Sequence, residues 1–247
     1  MSAFNYFLMV FAGGTLVPTL RRDQCRKQKP ESRLKETMKG RFITFEGSEG
    51  CGKSTQSHLL FEYLKKKRHK VIFLREPGGV KLSEQIRKLL LDPKSKISPE
   101  AETLLYMAAR AQVVDEIIKP ALSKGNIIVC DRFLDSTIAY QGYGLGIDIK
   151  AIKSMGAFAT CGIKPDLTIF LNLPVKDGLK HRQKNKDRIE SRDIAYHARV
   201  HQGYLKLARL EPKRIKVVNV QDNKDKTQEN IRLLIDRLWL RRPDLTK

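Results

Sequence analysis

The sequence lacks the residue patterns of a disulfide-rich, zinc-binding or membrane-spanning protein. Only four of its 247 residues are cysteine, and none has a partner at a spacing typical of a disulfide framework or a zinc site. The apolar run over residues 4–12 is too short to cross a bilayer, and no basic residue precedes it as in a secretory signal. No internal repeat or low-complexity segment is visible. We therefore expect a globular protein of a reducing compartment.

Acidic residues are scarce relative to basic ones. The chain has 27 aspartates and glutamates against 48 lysines and arginines, a formal net charge of +21. Such a surplus can serve binding to nucleic acid or a membrane surface, and it can equally concentrate small polyanions such as nucleotides. The basic residues are spread along the chain, and no nucleic-acid-binding motif accompanies them. The sequence thus favours a solvated basic surface, with neither nucleic acid nor membrane as a partner.

The first 37 residues differ in kind from the remainder. Their apolar run is followed by a stretch rich in arginine, lysine and glutamine, whereas short apolar runs recur from Met38 onward. We predict that residues 1–37 are a disordered extension or a misassigned start, and that residues 38–247 form one domain. An organelle-targeting segment is the alternative, because the stretch is rich in arginine. Without such targeting, the expected location is the cytoplasm.

A glycine-rich motif carries the clearest chemistry in the sequence. Residues 47–54 have the spacing G-x-x-x-x-G-K-[ST], with an apolar, β-branched run before them and apolar residues at helical spacing after them. In this context of strand, loop and helix, the motif wraps its backbone N–H groups around the phosphates of a nucleotide. Lys53 can then reach the outer phosphates, and the hydroxyl of Ser54 can hold Mg²⁺.

Strand-like and helical patterns alternate through the rest of the domain. The predicted strands are Phe42–Glu46, Val71–Arg75, Ile127–Asp131, Leu167–Asn172 and Ile215–Asn219. The predicted helices are Ser54–Lys67, Lys81–Leu91, Pro99–Ser123, Ile149–Thr160, Asp177–Lys184, Ile189–Ala208 and Thr227–Trp239. Such alternation predicts a parallel sheet with helices on both faces. The predicted fold class is therefore α/β, a P-loop NTPase of three α/β/α layers around a five-stranded parallel sheet.

Further unusual residues follow the predicted strands at their carboxyl ends, where ligands bind in open parallel sheets. The second strand runs into Arg75-Glu-Pro-Gly-Gly79, which can approach an acceptor substrate closely or simply join strand to helix. The third strand ends in Asp131, an acid placed as P-loop proteins place one near Mg²⁺. The planar fork of Arg132 matches phosphate, with an ion pair inside the scaffold as the alternative.

Two helical patterns add groups that can hold a base. Tyr106 and Arg110 are four residues apart on one helix face, from which they can stack on a base and grip its phosphate or carbonyl. Taken alone, Tyr106 is typical of a core residue. Thr137, Tyr140 and Gln141 share one local turn or helix, and polar groups at that density can read a base edge.

Residues 180–192 contain a basic run between two helical patterns. A solvated stretch of charge is the ordinary interpretation. In a phosphoryl-transfer enzyme, a mobile basic lid excludes water and neutralises charge on the transferred group. We predict a small basic lid here.

Taken together, these motifs resemble those of the thymidylate kinases, P-loop nucleoside monophosphate kinases that phosphorylate dTMP. The resemblance covers roughly residues 39–240 and follows the family order. Its segments are Phe-Glu-Gly-Ser-Glu-Gly-Cys-Gly-Lys-Ser, Arg-Glu-Pro-Gly-Gly, Asp-Arg-Phe with the following Ser-Thr-Ile-Ala-Tyr-Gln-Gly, Lys-Pro-Asp-Leu-Thr, and residues 196–205 after the lid. The chain departs from the family in its lid, which is shorter and has lysines where arginines are common.

The resemblance implies a reaction and a role for each candidate residue. The protein would phosphorylate dTMP to dTDP with ATP and Mg²⁺, for dTTP synthesis, as a homodimer. The ATP-binding residues would be Gly47, Ser48, Glu49, Gly50, Cys51, Gly52, Lys53, Ser54 and Thr55, and the metal ligands Ser54 and Asp131. The dTMP-binding residues would be Glu49, Pro77, Tyr106, Arg110, Arg132, Thr137, Tyr140 and Gln141. The catalytic residues would be Lys53, Asp131, Arg132 and the lid arginines Arg182 and Arg188.

The resemblance also assigns geometry. Tyr106 would stack on thymine, Arg132 would hold the acceptor phosphate, and Tyr140 would crowd the 2′ position of the sugar. The family often has a cis peptide bond before the proline that matches Pro77.

Two other functions fit parts of the sequence. Another nucleoside monophosphate or deoxynucleoside kinase would share the phosphate loop. A P-loop ATPase dependent on nucleic acid would use the charge of +21, but it leaves Asp131, Arg132 and the lid unexplained.

Overall fold

The fold is defined by a computed structural model that describes residues 40–180 and 187–237. The predicted extension over residues 1–37 lies outside the described residues, as do residues 181–186 of the predicted lid.

A five-stranded, all-parallel sheet forms the centre of the described part, with the strand order β2-β3-β1-β4-β5. Its strands are β1 (Arg41–Glu46), β2 (Val71–Arg75), β3 (Ile127–Asp131), β4 (Leu167–Asn172) and β5 (Ile215–Asn219). In the register of the sheet, Phe45 of β1 lies beside Asp131 of β3, and Asp131 lies beside Arg75 of β2. The carboxyl ends of these three strands form one row, so the motifs that follow them meet at one edge of the sheet.

Nine α-helices and two π-helical segments connect the strands within the described residues. The helices are α1 (Lys53–Lys66), α2 (Lys81–Leu91), α3 (Pro99–Val113), α4 (Lys119–Ser123), α5 (Leu134–Thr137), α6 (Ile149–Ala159), α7 (Val175–Lys180), α8 (Ile194–Leu210) and α9 (Lys224–Ile235). The π-helical segments are Val114–Ile118, between α3 and α4, and Ile138–Gly144, directly after α5. Among the described helices, none combines the length and the hydropathy needed to cross a membrane.

The helices cover both faces of the sheet because side chains alternate along each strand. On one face, Ile43 and Val129 pack with Leu60 of α1 and Ile231 of α9. On the other face, apolar residues of β1, β2 and β3 pack with α3, α4 and the π-helical segment between them. The predicted fold class, a three-layer α/β/α P-loop NTPase with a five-stranded parallel sheet, is confirmed.

Most of the predicted elements are present, and the differences have local causes. The helix predicted over Ile189–Ala208 begins only at Ile194, so its predicted start is wrong. Asp187 accepts hydrogen bonds from the backbone N–H groups of Ile189 and Glu190, which form a turn instead. The side chain of Asp193 then accepts from the N–H of Tyr196 and caps α8.

Three further predicted helices differ from those observed. The stretch Pro99–Ser123 is interrupted by the π-helical segment Val114–Ile118. The helix predicted from Thr227 begins earlier, at Lys224, because the side chain of Asn223 caps it. The helix predicted from Asp177 is α7, which starts at Val175.

Candidate active site

The glycine loop joins β1 to α1 in a conformation that needs glycine. Gly50 and Gly52 have φ values of 72° and 85°, and Gly52 immediately precedes the first turn of α1. A side chain at Gly50 would also collide with the carbonyl of Gly178 in α7. The loop is therefore held between the sheet and α7, with the N-terminus of α1 directed at its centre, which is the arrangement that binds phosphate.

Lys53 lies inside the loop and is buried. Its ammonium group donates a hydrogen bond to the backbone carbonyl of Ser48 at 2.7 Å and lies 3.7 Å from the sulfur of Cys51. The burial of Cys51 raises the pKa of its thiol, so this residue fills the loop as a neutral side chain. A buried ammonium group tethered to a carbonyl can exchange that partner for a phosphate oxygen.

Ser54 and Asp131 form a pair of oxygen groups beside the loop. The hydroxyl of Ser54 donates to Asp131 Oδ2 at 2.5 Å. The other carboxylate oxygen, Asp131 Oδ1, is buried and has no hydrogen-bond partner among residues 40–180 and 187–237. A buried carboxylate oxygen without a partner beside a hydroxyl fits Mg²⁺, which takes hard oxygen ligands and fills its remaining positions with water and phosphate.

Arg132 follows β3 with a left-handed backbone, at a φ of 72°. Its Nη2 donates to Glu49 Oε1 at 2.6 Å, and its Nη1 donates to the carbonyl of Gly47 at 3.3 Å and to the hydroxyl of Ser136 at 3.2 Å. Burial alone would raise the pKa of Glu49, but the charges of Arg132 and Lys53 outweigh it and hold that pKa at about 2. The guanidinium group is thus locked across the phosphate loop by a carboxylate that stays ionised.

Tyr140 completes the cluster around Glu49. Its hydroxyl donates to Glu49 Oε1 at 2.7 Å, and the guanidinium carbon of Arg132 lies 4.9 Å from the centre of its ring. Tyr140 belongs to the π-helical segment Ile138–Gly144. From that segment, Tyr140 contacts Glu49 of the phosphate loop.

Arg110 is held by the protein through each of its three guanidinium nitrogens. Its Nε donates to Glu76 Oε2 at 2.8 Å, while its two Nη atoms donate to Thr137 Oγ1 and to the carbonyl of Phe133, both at 3.1 Å. The peptide bond between Glu76 and Pro77 is cis, as the family resemblance implied. Burial raises the pKa of Glu76 despite the neighbouring charge of Arg110. The guanidinium group therefore ties the end of β2 to α5.

A cavity of about 620 Å³ connects these groups. It reaches from the phosphate loop past Arg132 to a wall formed by Tyr106, Pro77 and Gln141, with residues 187, 189 and 190 at its rim. The predicted site residues that line it are Glu49, Gly50, Gly52, Lys53, Ser54, Thr55, Pro77, Tyr106, Arg110, Asp131, Arg132, Thr137, Tyr140 and Gln141. Gly47, Ser48 and Cys51 belong to the same loop but do not line the cavity, and Arg182 lies outside the described residues.

Arg188 does not line this cavity, although residues 187 and 189 do, and it contacts two helices. Its Nε donates to the carbonyl of Leu90 at 2.9 Å, and its Nη2 lies 2.6 Å from Glu102 Oε2. Arg192 donates to the same carboxylate oxygen at 2.6 Å. Sequence reasoning missed Glu102, although it precedes Tyr106 by one helical turn and so shares the face of Tyr106 and Arg110.

Glu46 is a second site residue that sequence reasoning missed. Its carboxylate accepts from the N–H of Phe133 at 2.8 Å, from the hydroxyl of Ser136 at 2.6 Å and from the hydroxyl of Tyr204 at 2.9 Å. Burial and the charge of Asp135 raise the pKa of Glu46 to about 7. Like Asp131, Glu46 is an acidic residue at the end of an apolar strand, and this position is the sequence signal that could have identified it. Its contacts hold the turn that carries Arg132.

A glycine loop on a central parallel strand, an arginine locked across it and a long cavity beyond define a P-loop phosphotransferase. The family model for thymidylate kinase matches residues 45–231. The chain belongs to the thymidylate kinase family, which confirms the resemblance drawn from the sequence.

Individual relatives agree with this assignment. The chain is 47% identical to a thymidylate kinase of Gloeobacter violaceus over 199 residues, which cover 79% of this chain and 94% of that protein. It is 48% identical to a thymidylate kinase of Geotalea daltonii, over 76% of this chain and 93% of that protein. The crystal structure of thymidylate kinase from Ehrlichia chaffeensis superposes with a TM-score of 0.67 at 35% identity, over 79% of this chain and 98% of that one.

Proposed function

We propose that the protein transfers the γ-phosphoryl group of ATP to dTMP, which gives ADP and dTDP for dTTP synthesis. The observation that carries the proposal is a single cavity lined by the phosphate loop, by Arg132, and by Tyr106 and Gln141. Membership of the thymidylate kinase family supports dTMP as the acceptor.

On the donor side, residues 47–55 would hold the phosphates of ATP through backbone N–H groups and the start of α1. Lys53 would exchange the carbonyl of Ser48 for a phosphate oxygen and stabilise charge on the moving phosphoryl group. Ser54 and Asp131 would hold Mg²⁺, which supplies charge neutralisation on the β- and γ-phosphates when it is bound.

On the acceptor side, Arg132 would present dTMP to the donor. The acceptor oxygen is already largely ionised at neutral pH because the second pKa of a phosphate monoester is about 6, so the reaction needs no strong general base. Catalysis then consists of holding two polyanions in line and balancing charge on the transferred group. The contacts of Arg132 with Glu49 and Gly47 support this role, since they fix the guanidinium group across the phosphate loop.

The far wall of the cavity would recognise thymidine. Tyr106 would stack on the base, and Thr137 and Gln141 would read its edge. Tyr140, held against Glu49, would crowd the 2′ position and so favour deoxyribose. Each guanidinium nitrogen of Arg110 donates to the protein, at Glu76, Thr137 and Phe133, so Arg110 would shape the base site and contact dTMP only through its remaining N–H groups.

The lid would supply the last positive charge. Arg182 and Arg188 remain the two candidates, and the ion pair of Arg188 with Glu102 would have to open before Arg188 could reach the phosphoryl group. Variants with alanine at each position, compared by kcat at saturating dTMP, distinguish them. The catalytic residue is the one whose loss lowers kcat most.

The experiment that tests the proposed function is an acceptor panel. Purified protein with Mg²⁺ and ATP is given dTMP, dUMP, UMP, dCMP, CMP, AMP, GMP or thymidine, and ADP release is followed. We expect dTMP to give the highest kcat/KM. A higher kcat/KM for another monophosphate would show that the protein is a nucleotide kinase with a different acceptor. ATP hydrolysis that is stimulated by DNA or RNA and weakened steeply by salt would indicate the nucleic-acid-dependent ATPase instead.

We also propose a cytoplasmic homodimer that needs neither nucleic acid nor membrane. Large apolar side chains exposed on adjacent helices support the dimer, since Leu104 of α3 is 57% exposed and Phe158 of α6 is 74% exposed. Light scattering of the wild-type protein and of a Leu104→Glu variant would test it, with a monomeric wild type as the contradicting result.

A further inference from the structure

A buried carboxylate joins the base wall of the cavity to Arg188 and Arg192, the two arginines near the end of the predicted lid. Glu102 of α3 has no exposed surface. Its Oε1 accepts a hydrogen bond from the amide nitrogen of Gln141 at 2.7 Å. Its Oε2 accepts from Arg192 and lies 2.6 Å from the guanidinium of Arg188. The guanidinium groups of Arg188 and Arg192 therefore lie beside Oε2 of Glu102. The amide of Gln141 bonds to the other oxygen, Oε1.

The bond to Glu102 fixes which way the amide of Gln141 points. A carboxylate accepts hydrogen bonds and cannot donate them, so the NH₂ group of Gln141 must face Glu102. The amide oxygen is then the branch turned away from the carboxylate. Within residues 40–180 and 187–237, no group donates a hydrogen bond to this oxygen, and Gln141 lines the cavity beside Tyr106. The amide oxygen of Gln141 thus has no partner in the described part of the chain and is free to accept a hydrogen bond from a ligand.

We propose that Glu102 is a positioning residue for base selection, which holds the Gln141 amide so that its oxygen accepts the N3–H of thymine. This inference rests on the proposed function and adds an explanation of how the site discriminates against cytosine. Thymine carries a hydrogen on N3, whereas N3 of cytosine is an acceptor. With the amide held, cytosine would set two acceptors against each other and leave both unpaired, which costs binding energy in a buried site.

Glu102→Gln tests the assignment with little change in shape. A glutamine at this position can donate as well as accept, so the amide of Gln141 can rotate and offer its NH₂ group to N3 of cytosine. We expect the ratio of kcat/KM for dTMP to kcat/KM for dCMP to fall about tenfold. The ratio for dTMP to dUMP should not change, because uracil and thymine share the same N3–H and O4 groups.

A matched control makes the same chemical change on the surface of the same helix. Glu100→Gln alters an exposed residue of α3 and should keep both ratios. Glu102→Asp retains the charge that faces Arg188 and Arg192 but shortens the reach to Gln141. We expect it to lower the ratio of dTMP to dCMP in the same direction as Glu102→Gln. The melting temperature of each variant shows whether it is folded.

A double variant separates positioning from a general structural effect. Because Glu102 is inferred to act through Gln141, Glu102→Gln should cause no further loss of selectivity when Gln141→Ala is already present. A folded Glu102→Gln variant with an unchanged ratio of dTMP to dCMP would overturn the inference alone. So would additive losses in the double variant, or failure of both Glu102 variants to fold. A wild-type protein that does not phosphorylate dTMP would instead overturn the proposed function.

Discussion

Replacement of Arg132 by lysine keeps the positive charge but removes the planar fork. In the structure, two nitrogens of the guanidinium group reach three acceptors, on Glu49, Gly47 and Ser136. A lysine ammonium group has one nitrogen, which cannot span these positions or two phosphate oxygens at once. Because the positive charge is preserved, a loss of activity in this variant would reflect the loss of the planar guanidinium group.

The expected loss follows from the hydrogen bond that the proposed function gives Arg132 with the acceptor phosphate. One charge-assisted hydrogen bond is worth about 1.5–3 kcal/mol. Loss of one such bond to the acceptor phosphate, at about 2 kcal/mol, lowers kcat/KM for dTMP about thirtyfold, since each 1.4 kcal/mol is a factor of ten. The KM for dTMP should rise more than the KM for ATP, because the proposed phosphate contact of Arg132 is with dTMP, whereas its contacts with the glycine loop are with Glu49 and Gly47.

The assay is ADP release at varied dTMP and saturating ATP. Arg209→Lys is the control, because Arg209 is exposed near the end of α8 and the substitution is chemically the same. We expect the control to match the wild type. A folded Arg132→Lys variant with a kcat/KM for dTMP within threefold of the wild type would refute the role given to the guanidinium fork.

Variants at three other residues extend the test. Lys53→Ala should keep the melting temperature near that of the wild type and lose about 3–4 kcal/mol of transition-state stabilisation, seen as a fall in kcat of two orders of magnitude or more; full turnover would remove Lys53 from the mechanism. Tyr140→Ala should raise the ratio of kcat/KM for UMP to kcat/KM for dUMP, because the ring no longer crowds the 2′ position. Tyr140→Phe keeps the ring and should leave this ratio low. Equal ratios in the wild type and both variants would contradict the steric role. Glu46 has a folded-state pKa of about 7, above the 4.5 of the unfolded chain, so the folded state binds the extra proton between these values and stability falls as pH rises through that window. Glu46→Gln should therefore flatten the change in unfolding free energy between pH 5 and pH 7.5, by about 2 kcal/mol, as measured by urea denaturation. Identical slopes would contradict the raised pKa.

The sheet could be predicted well from the sequence because its signals are local. Four of the five predicted strands have the observed bounds, and β1 begins one residue earlier than predicted. Apolar runs ending in turn residues or acids are visible without tertiary information. The meeting of the three motifs at one edge also followed from the parallel order of the strands.

Helix ends and buried partners were harder to predict. The start of α8 depends on Asp187 and Asp193, whose side chains bind backbone N–H groups, and the periodicity of the apolar residues continues past that point. Glu46 and Glu102 were missed because a buried carboxylate is recognised by its donors, which come from distant parts of the chain. The donors to Glu102, for example, are Gln141 and Arg192.

The most direct test of the central claim is transfer of a labelled phosphoryl group. ATP carrying ³²P at the γ position is mixed with dTMP, Mg²⁺ and the protein, and the products are separated by chromatography. The account predicts that the label appears in dTDP, and that Lys53→Ala slows its appearance by two orders of magnitude or more. Label found only in inorganic phosphate, at the same rate with and without dTMP, would contradict it.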